Sequence, residues 1–368
     1  MRVQSVVLTG LIAAMGMLSC TSGEPTANTG PSLTSSTVSA STGSITADGA
    51  STATITVQLR NGSGAAITSS GGTVTMTATA GTLSGVTDHQ NGSYTATLTA
   101  PTTAGAAIVV AQLNGQALTS SATVAFVAAA VDLTHSTIAT VDSVVTADGV
   151  ASTVVTVRAR DAHDNAVTAS LGVTIASTKG SVSSVAAAGG GVYTATLTSP
   201  TTAATGTVSA QVNSQPLVAT ASVRFAPGAV SLSHSTVTVA DSVLTADGAS
   251  VTTVTVRALD SNNNPIGGSV GPVTVAATSG TLGTVTNAGN GVYTATLTSS
   301  VTAGVSTVSA KINAQSLSGT ASVRYAPGPV SLSHSTLSVA DTVLVASGSS
   351  TTLVTVQARD AHDNPITT

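Results

Sequence analysis

The chain lacks most of what catalysis and tight recognition require. Its 368 residues include no tryptophan, one cysteine, 2% aromatics and 7% charged side chains. A single cysteine excludes an intramolecular disulfide and any cysteine-rich zinc site. Ten Lys and Arg spread over this length cannot form the dense basic stripe that phosphate binding needs, so no nucleic-acid partner is expected. Exposed Trp or Tyr platforms for sugars are missing too, because all six Tyr and Phe fall at positions that look like core. The apolar stretch from Val6 to Leu18 is too short to span a bilayer. What is present is Gly, Ser, Thr, Ala and Val, with 42% apolar residues and a formal charge of −4. That composition favours strands and turns in a folded chain of two to four domains.

Self-comparison organises the rest. Thr46-Ala47-Asp48-Gly49 recurs as Thr146-Ala147-Asp148-Gly149 and Thr245-Ala246-Asp247-Gly248, then in the altered form Val345-Ala346-Ser347-Gly348. Tyr-Thr-Ala-Thr-Leu-Thr begins at Tyr94, Tyr193 and Tyr293. A Ser-Thr pair follows His135, His234 and His334. These markers give three units of about 100 residues and part of a fourth. A period of that size is a domain and not a solenoid turn, so each unit should carry its own core.

Within a unit the pattern has period two. Ile55, Val57 and Leu59 alternate with Thr56 and Gln58, and the same alternation runs through Val155–Ala159, Val254–Ala258 and Val354–Ala358. Each reads as a strand with one buried and one wet face. Asn91-Gly92, Gly190-Gly191 and Asn290-Gly291 supply turns before the Tyr strand. Short strands punctuated every 8–12 residues predict an all-β chain of tandem sandwich domains, with no sustained helical period. The aromatics recur in two positions per unit: Tyr94, Tyr193 and Tyr293 open a strand, while Phe126, Phe225 and Tyr325 close the domain. A core otherwise built from Val, Ile, Leu and Ala is thin, so each unit should lie low in the ~5–15 kcal/mol range of domain stability.

These residues resemble the bacterial immunoglobulin-like domains of group 1, repeated in invasin and intimin. The resemblance rests on Thr-Ala-Asp-Gly and its following strand, and on Asp-x-x-x-Asn-Pro-Ile at Asp260–Ile266 and Asp360–Ile366. Gly-Thr-Leu at Gly81–Leu83 and Gly280–Leu282, the Tyr strand, and the closing strand ending at Phe225 and Tyr325 complete it. It covers roughly residues 33–368 and implies tandem immunoglobulin-like β-sandwiches in a surface stalk or adhesin. No β-barrel segment and no lectin-like tip of the invasin or intimin kind is recognisable. The N-terminus resembles a bacterial lipoprotein signal: Arg2, an apolar stretch, then Met17-Leu18-Ser19 before the lone Cys20. That likeness makes Cys20 a lipidation site, the anchor to a membrane. Thr21 in place of Asp points to the outer membrane, with an ordinary secretory peptide and a secreted chain as the alternative.

Other candidates read as structural. Gly267-Gly268-Ser269-Val270-Gly271 satisfies Gly-x-Ser-x-Gly, but Pro272 and a strand follow where a nucleophile elbow needs a helix. The histidines lack metal-ligand spacing. Asp142, Asp148, Asp241, Asp247 and the group Asp161/Asp164/Asn165 offer hard oxygens for calcium. Neither cluster reaches six ligands, and the joints Ala226–Val230 and Ala326–Val330 contain no carboxylate, so turn capping is the favoured role. No catalytic, cofactor-binding or metal-binding residue is expected.

The division expected is a signal at 1–19, a flexible tether at 20–32, and sandwiches at 33–129, 130–228 and 229–328, with an incomplete one at 329–368. The expected function is a non-enzymatic, lipid-anchored cell-surface stalk or adhesin, with a host-cell or cell-surface protein or glycan as its possible ligand. The first unit would carry adhesion, since its loops Arg60–Gly64 and Asp88–Gln90 differ from the others. The alternative is a set of accessory domains for a larger secreted enzyme or lectin whose active module lies beyond residue 368. Residues 329–368 are expected to stay disordered or to pair with something, because a third of a sandwich cannot bury its apolar face.

Overall fold

A computed structural model describes residues 29–367. Cys20, the segment 1–19 and most of the tether expected at 20–32 lie outside the described residues. Among the described residues there are strands and turns but no helix. The chain forms two compact units that divide between Ala129 and Ala130.

In the first unit, period-two alternation sets the packing. The strand Thr52–Gln58 buries Ala53, Ile55 and Val57 on one face. It pairs antiparallel with Thr37–Ala40 on one side and Ser93–Thr99 on the other. Across the second pairing a large residue meets a small one: Ala53 opposite Leu98, Ile55 opposite Ala96. Val57 lies opposite Tyr94, and such cross-strand pairs are the unit of sheet stabilisation. The second sheet runs Ser44–Thr46, Gln116–Val127, Gly105–Leu113, Val74–Ala78. Its inward residues, among them Val109, Val124 and Phe126, share one core with Ile55 and Leu98. Ser44–Thr46 lies parallel to the final strand, so the chain starts in one sheet and crosses to the other. Ser32, the last residue of the expected tether, already donates its N–H to the Arg60 carbonyl (2.7 Å).

The Thr-Ala-Asp-Gly marker is the turn that follows this crossing. Ala47 is buried and its N–H donates to the Val127 carbonyl (2.8 Å). Asp48 Oδ1 accepts the N–H groups of Ala50 and Ser51 (2.8 and 2.6 Å), and Oδ2 accepts the Ser51 hydroxyl (2.6 Å). The Ser51 hydroxyl, then the two backbone donors, lower the Asp48 carboxyl to about 2. Turn capping by a short acid is therefore what the motif does.

The second unit repeats the plan twice. One sandwich sets Asp132–Thr140, Ser152–Arg160, Val192–Thr198 and Ser181–Val182 against Val144–Thr146, Ala221–Ala226, Ala204–Val212 and Val173–Ser177. The next sets Thr236–Val239, Val251–Arg257, Val292–Thr298 and Thr281–Leu282 against Val243–Thr245, Ala321–Ala326, Gly304–Ile312 and Val273–Ala277. All six aromatics are buried, as the sequence predicts. The turn before each Tyr strand is closed by a glycine for two reasons. Gly291 has φ of +72°, and a Cβ there would stand 2.7 Å from the Ala258 carbonyl oxygen.

The partial repeat follows the pairing alternative of the expectation and departs from it in one way. It is not disordered: Thr336–Val339 and Val354–Gln357 pair antiparallel. Nor is its alternating strand half-buried, because Val354 and Val356 stand exposed. In the complete repeats Val144–Thr146 and Val243–Thr245 lie parallel to a closing strand. Leu344, the counterpart of Leu244, has no such strand to pair with among the described residues. Val256→Ala, in a closed core, is expected to destabilise the third sandwich by about 2 kcal/mol. Denaturant unfolding of the variant checks the loss.

Candidate functional site

The groups singled out in the sequence are mostly spent on local structure. Ser269 lies in an exposed loop with no helix after it, and its Oγ accepts the Gly271 N–H (3.3 Å). Asp148 and Asp247 cap their turns as Asp48 does. No group of three or more His, Cys, Asp or Glu able to hold a metal occurs among the described residues.

The histidine marker resolves into two parts. The serine after each histidine ties the strand ends together: Ser136, Ser235 and Ser335 Oγ accept the N–H of Arg160, Leu259 and Arg359 (3.0, 3.0 and 3.1 Å). The histidine rings reach the Asp-x-x-x-Asn turn. His135 Nδ1 lies 3.0 Å from Asp164 Oδ1, and His334 Nδ1 lies 2.9 Å from Asp363 Oδ1. The hydrogen bond to Asp164 raises the His135 pKa above the ordinary histidine value. In the third repeat Asn263 stands where Asp164 and Asp363 do, and His234 instead contacts the Ser231 hydroxyl (3.0 Å). His89 Nε2 meets Thr95 Oγ1 at 2.8 Å.

That same turn builds the site with the clearest consequence for the second unit. In the third repeat Asp260 Oδ1 accepts the N–H groups of Asn262 and Asn264, both at 2.8 Å, which folds the loop. Asn263 takes the left-handed φ of +64° that Asn tolerates. The folded loop then reaches the second repeat. Asn264 Nδ2 donates to the Thr201 carbonyl (2.8 Å), and Asn264 Oδ1 accepts the Ala203 N–H (2.7 Å). Its second Nδ2 proton goes to Asp260 Oδ2 (2.9 Å), so every polar group of the amide is engaged. Asp260 Oδ2 also accepts the N–H of Gly228, in the linker itself (2.9 Å). Asn262 Nδ2 adds a bond to the Ala147 carbonyl (3.3 Å). Asp260 and Asn264 are 1% and 4% exposed.

The next joint reproduces these contacts. Asn364 Nδ2 donates to the Val301 carbonyl (2.8 Å), Asn364 Oδ1 accepts the Ala303 N–H (2.7 Å), and Asp360 Oδ2 accepts the Gly328 N–H (2.9 Å). So the linkers do receive a carboxylate, from a loop some thirty residues on, and its partner in each linker is a backbone N–H group. Burial pushes the Asp260 carboxyl up, but hydrogen bonds from the Asn264 amide, Gly228 and the turn outweigh it and hold the group below the usual carboxylate range. Asp360 is depressed in the same way.

The sequence reading recognised this loop as a turn and a family mark but missed its role between repeats. A signal was available. The pair occurs at Asp161/Asn165, Asp260/Asn264 and Asp360/Asn364, in each repeat that another precedes. The first repeat has Asn61 and Ala65 in the matching places. There Asn61 Oδ1 accepts the N–H groups of Ser63 and Ala65 and the Ser63 hydroxyl, all in its own loop.

Asn264→Ala strands the Ala203 N–H and the Thr201 carbonyl, at about 1–3 kcal/mol for each group that water cannot reach. Faster amide exchange at Ala203, with the Val251–Arg257 strand unchanged, is the expected result. Acid should loosen both joints. A carboxyl whose pKa is depressed by folding adds stability above its unfolded pKa and loses it as pH falls through the folded value. Protection of Gly228 and Gly328 from exchange, relative to the intrinsic rate at each pH, is therefore expected to fall below the ordinary carboxylate range, and Asp260→Asn should remove that fall at Gly228.

Comparison with known proteins agrees with this architecture. The family model described as "Invasin, domain 3" matches three times, over residues 32–129, 132–228 and 231–328. Among curated protein sequences none matches the chain. Among solved structures, FdeC, an adhesin of Escherichia coli, is similar over 80% of this chain and 98% of its own, with 26% identity and a TM-score of 0.56. Invasin, a bacterial integrin-binding protein, is similar over 89% of this chain and 76% of its own, with 20% identity and a TM-score of 0.51. The chain belongs to the invasin domain 3 family, as a tandem array of the immunoglobulin-like repeats of bacterial adhesins.

Proposed function

We propose that this chain is a non-enzymatic stalk or adhesin of the cell surface, exported on residues 1–19 and held to the outer membrane by an acylated Cys20. Residues 20–32 act as the tether, three sandwiches occupy 33–129, 130–228 and 229–328, and a partial one occupies 329–368. The observation that carries this reading is the repeated clamp, in which the same buried Asp and Asn set the joint at Gly228 and again at Gly328. A chain whose task is to hold a contact at a distance needs joints of defined geometry, and these joints have it. Adhesion is assigned to the first repeat, toward a host-cell or cell-surface protein or glycan. Its loops depart from the others, and Ile108 and Val110 stand exposed where the later repeats have Thr207, Ser209, Thr307 and Ser309.

Two changes separate anchor from adhesion. Cys20→Ser should move the protein from the membrane fraction to the medium or periplasm, with the repeats still folded. Replacing residues 33–129 by a copy of 130–228 should leave the protein at the surface and abolish attachment to target cells. Membrane fractionation and cell-attachment counts check these outcomes. Attachment that survives the replacement would remove the first repeat from the role, and a Cys20→Ser protein still in the outer membrane would remove the anchor.

A further inference from the structure

The first repeat carries a short motif that the later repeats lack. Among the asparagines of the chain, only Asn61 and Asn91 have Ser or Thr two residues on, and both times the tripeptide is Asn-Gly-Ser. Asn-x-Ser, with x other than Pro, is the acceptor sequence of enzymatic N-glycosylation, a modification of surface loops in exported proteins. Asp161, Asp260 and Asp360 stand in the later repeats where Asn61 does. Gly190 and Asn290 are the counterparts of Asn91, and Val292 follows Asn290 where Ser93 follows Asn91.

Both tripeptides lie at one end of one sheet. Asn61 comes just after the strand Thr52–Gln58, and Asn91 just before Ser93–Thr99. The Leu59 N–H donates to the Gly92 carbonyl (2.9 Å) where the two segments meet. In each tripeptide the asparagine amide is turned the same way. Asn61 Oδ1 accepts the Ser63 N–H and hydroxyl (3.1 and 2.7 Å), and Asn91 Oδ1 accepts the Ser93 N–H (3.0 Å). The oxygen is thus committed to its own loop, and the only side-chain hydrogen bonds of either amide run to Oδ1 among the described residues. Asn61 is half-buried, yet no buried side-chain nitrogen or oxygen is left without a partner among the described residues, so its Nδ2 reaches solvent. Gly62, Ser63 and Asn91 are exposed.

The matching turns of the later repeats are closed. Asp161, Asp260 and Asp360 are 0%, 1% and 1% exposed. A saccharide at position 260 or 360 would break the bonds to Gly228 or Gly328. The acceptor tripeptide therefore occurs where the turn is open and is missing where it is enclosed.

We propose that Asn61 and Asn91 are N-glycosylation sites, modified by a glycosyltransferase that draws on a sugar activated as a glycosyl phosphate. In the transfer, Nδ2 attacks C1 of the sugar. The C1–N bond forms as the C1–O bond to phosphate breaks, the phosphate leaves with the bonding pair, and the amide gives up one of its two protons to a base of the transferase. Nothing is oxidised or reduced. Ser63 and Ser93 supply the hydroxyl that the transferase reads two residues beyond the acceptor. The sugars would stand beside Arg60–Gly64 and Asp88–Gln90, the loops that set the first repeat apart. The inference requires only that these loops meet such an enzyme and is independent of the adhesin reading.

The test is mass spectrometry of peptides containing Asn61 and Asn91, from full-length protein purified out of the producing cell. A saccharide is expected on both asparagines. Ser63→Ala should abolish it at Asn61 and leave Asn91 modified, and Ser93→Ala should do the reverse. Both variants keep the asparagine, and unchanged amide exchange across Thr52–Gln58 verifies that the first repeat remains folded. Bare asparagine at both positions overturns the proposal, as does a saccharide that persists once the serine is replaced. Conversion of either asparagine to aspartate without a sugar also counts against it, since the Asn-Gly pair would then be deamidating. A saccharide at one position alone removes the other from the proposal.

Discussion

A buried asparagine with no polar group left over sets the spacing of repeats in the second unit. Asn264 offers two donors and an acceptor, and the joint presents a carboxylate, a carbonyl and an N–H in matching positions. Because each leftover backbone group would cost as much as a lost hydrogen bond, the geometry tolerates little change. Rotation at the Gly228 linker would break the Asp260, Asn262 and Asn264 contacts together, since all three come from one loop. The linker sequence Ala226-Pro227-Gly228 does not impose this geometry by itself. The following repeat imposes it, with a loop folded by its own carboxylate.

This arrangement suits repeats with so little core. A domain of about 100 residues with two aromatics and a Val- and Ala-rich interior draws modest stability from burial. Its aromatics therefore serve as more than filler. Tyr94 Oη accepts the Gly71 N–H and donates to the Gly72 carbonyl (3.0 and 2.8 Å), pinning a loop to the strand that carries the ring. Tyr325 Oη donates to the Ser279 carbonyl (3.0 Å). In both, the ring fills the core while the hydroxyl satisfies backbone at its edge, which a phenylalanine could not do. Hydrogen-bonded joints also leave each sandwich an ordinary polar surface, where an apolar joint would expose a sticky face on every separated unit.

Much of this was legible in the sequence, and the limits follow from chain separation. Ile55, Val57 and Leu59 announce a half-buried strand because strand periodicity is local, and all three are buried. Thr-Ala-Asp-Gly announces a capped turn because the cap and its donors lie within three residues. The clamp was not legible in the same way. Gly228 and Asp260 are 32 residues apart, and Thr201 and Asn264 are 63 apart, so no window of local pattern contains both. The one clue was comparative, since Asp and Asn occupy the turn in the later repeats while Asn61 and Ala65 occupy it in the first. Tandem repeats thus carry information in their differences that a single repeat would hide.

The partial repeat separates two determinants that a complete domain confounds. In a closed sandwich, register and burial agree, and a one-residue slip would turn every apolar side chain outward, so burial alone could account for the pairing. Between Thr336–Val339 and Val354–Gln357 burial is largely absent, yet the register equals that of the third repeat. What remains common to both is the base of the hairpin: the Ser235 or Ser335 hydroxyl on the partner strand, and the Asp260 or Asp360 turn locked onto the preceding repeat. The polar contacts at the joint and the strand register thus occur together in both repeats. Within the second unit, the second and third repeats each present a carbonyl and an N–H group that the Asn264 or Asn364 amide of the following repeat engages.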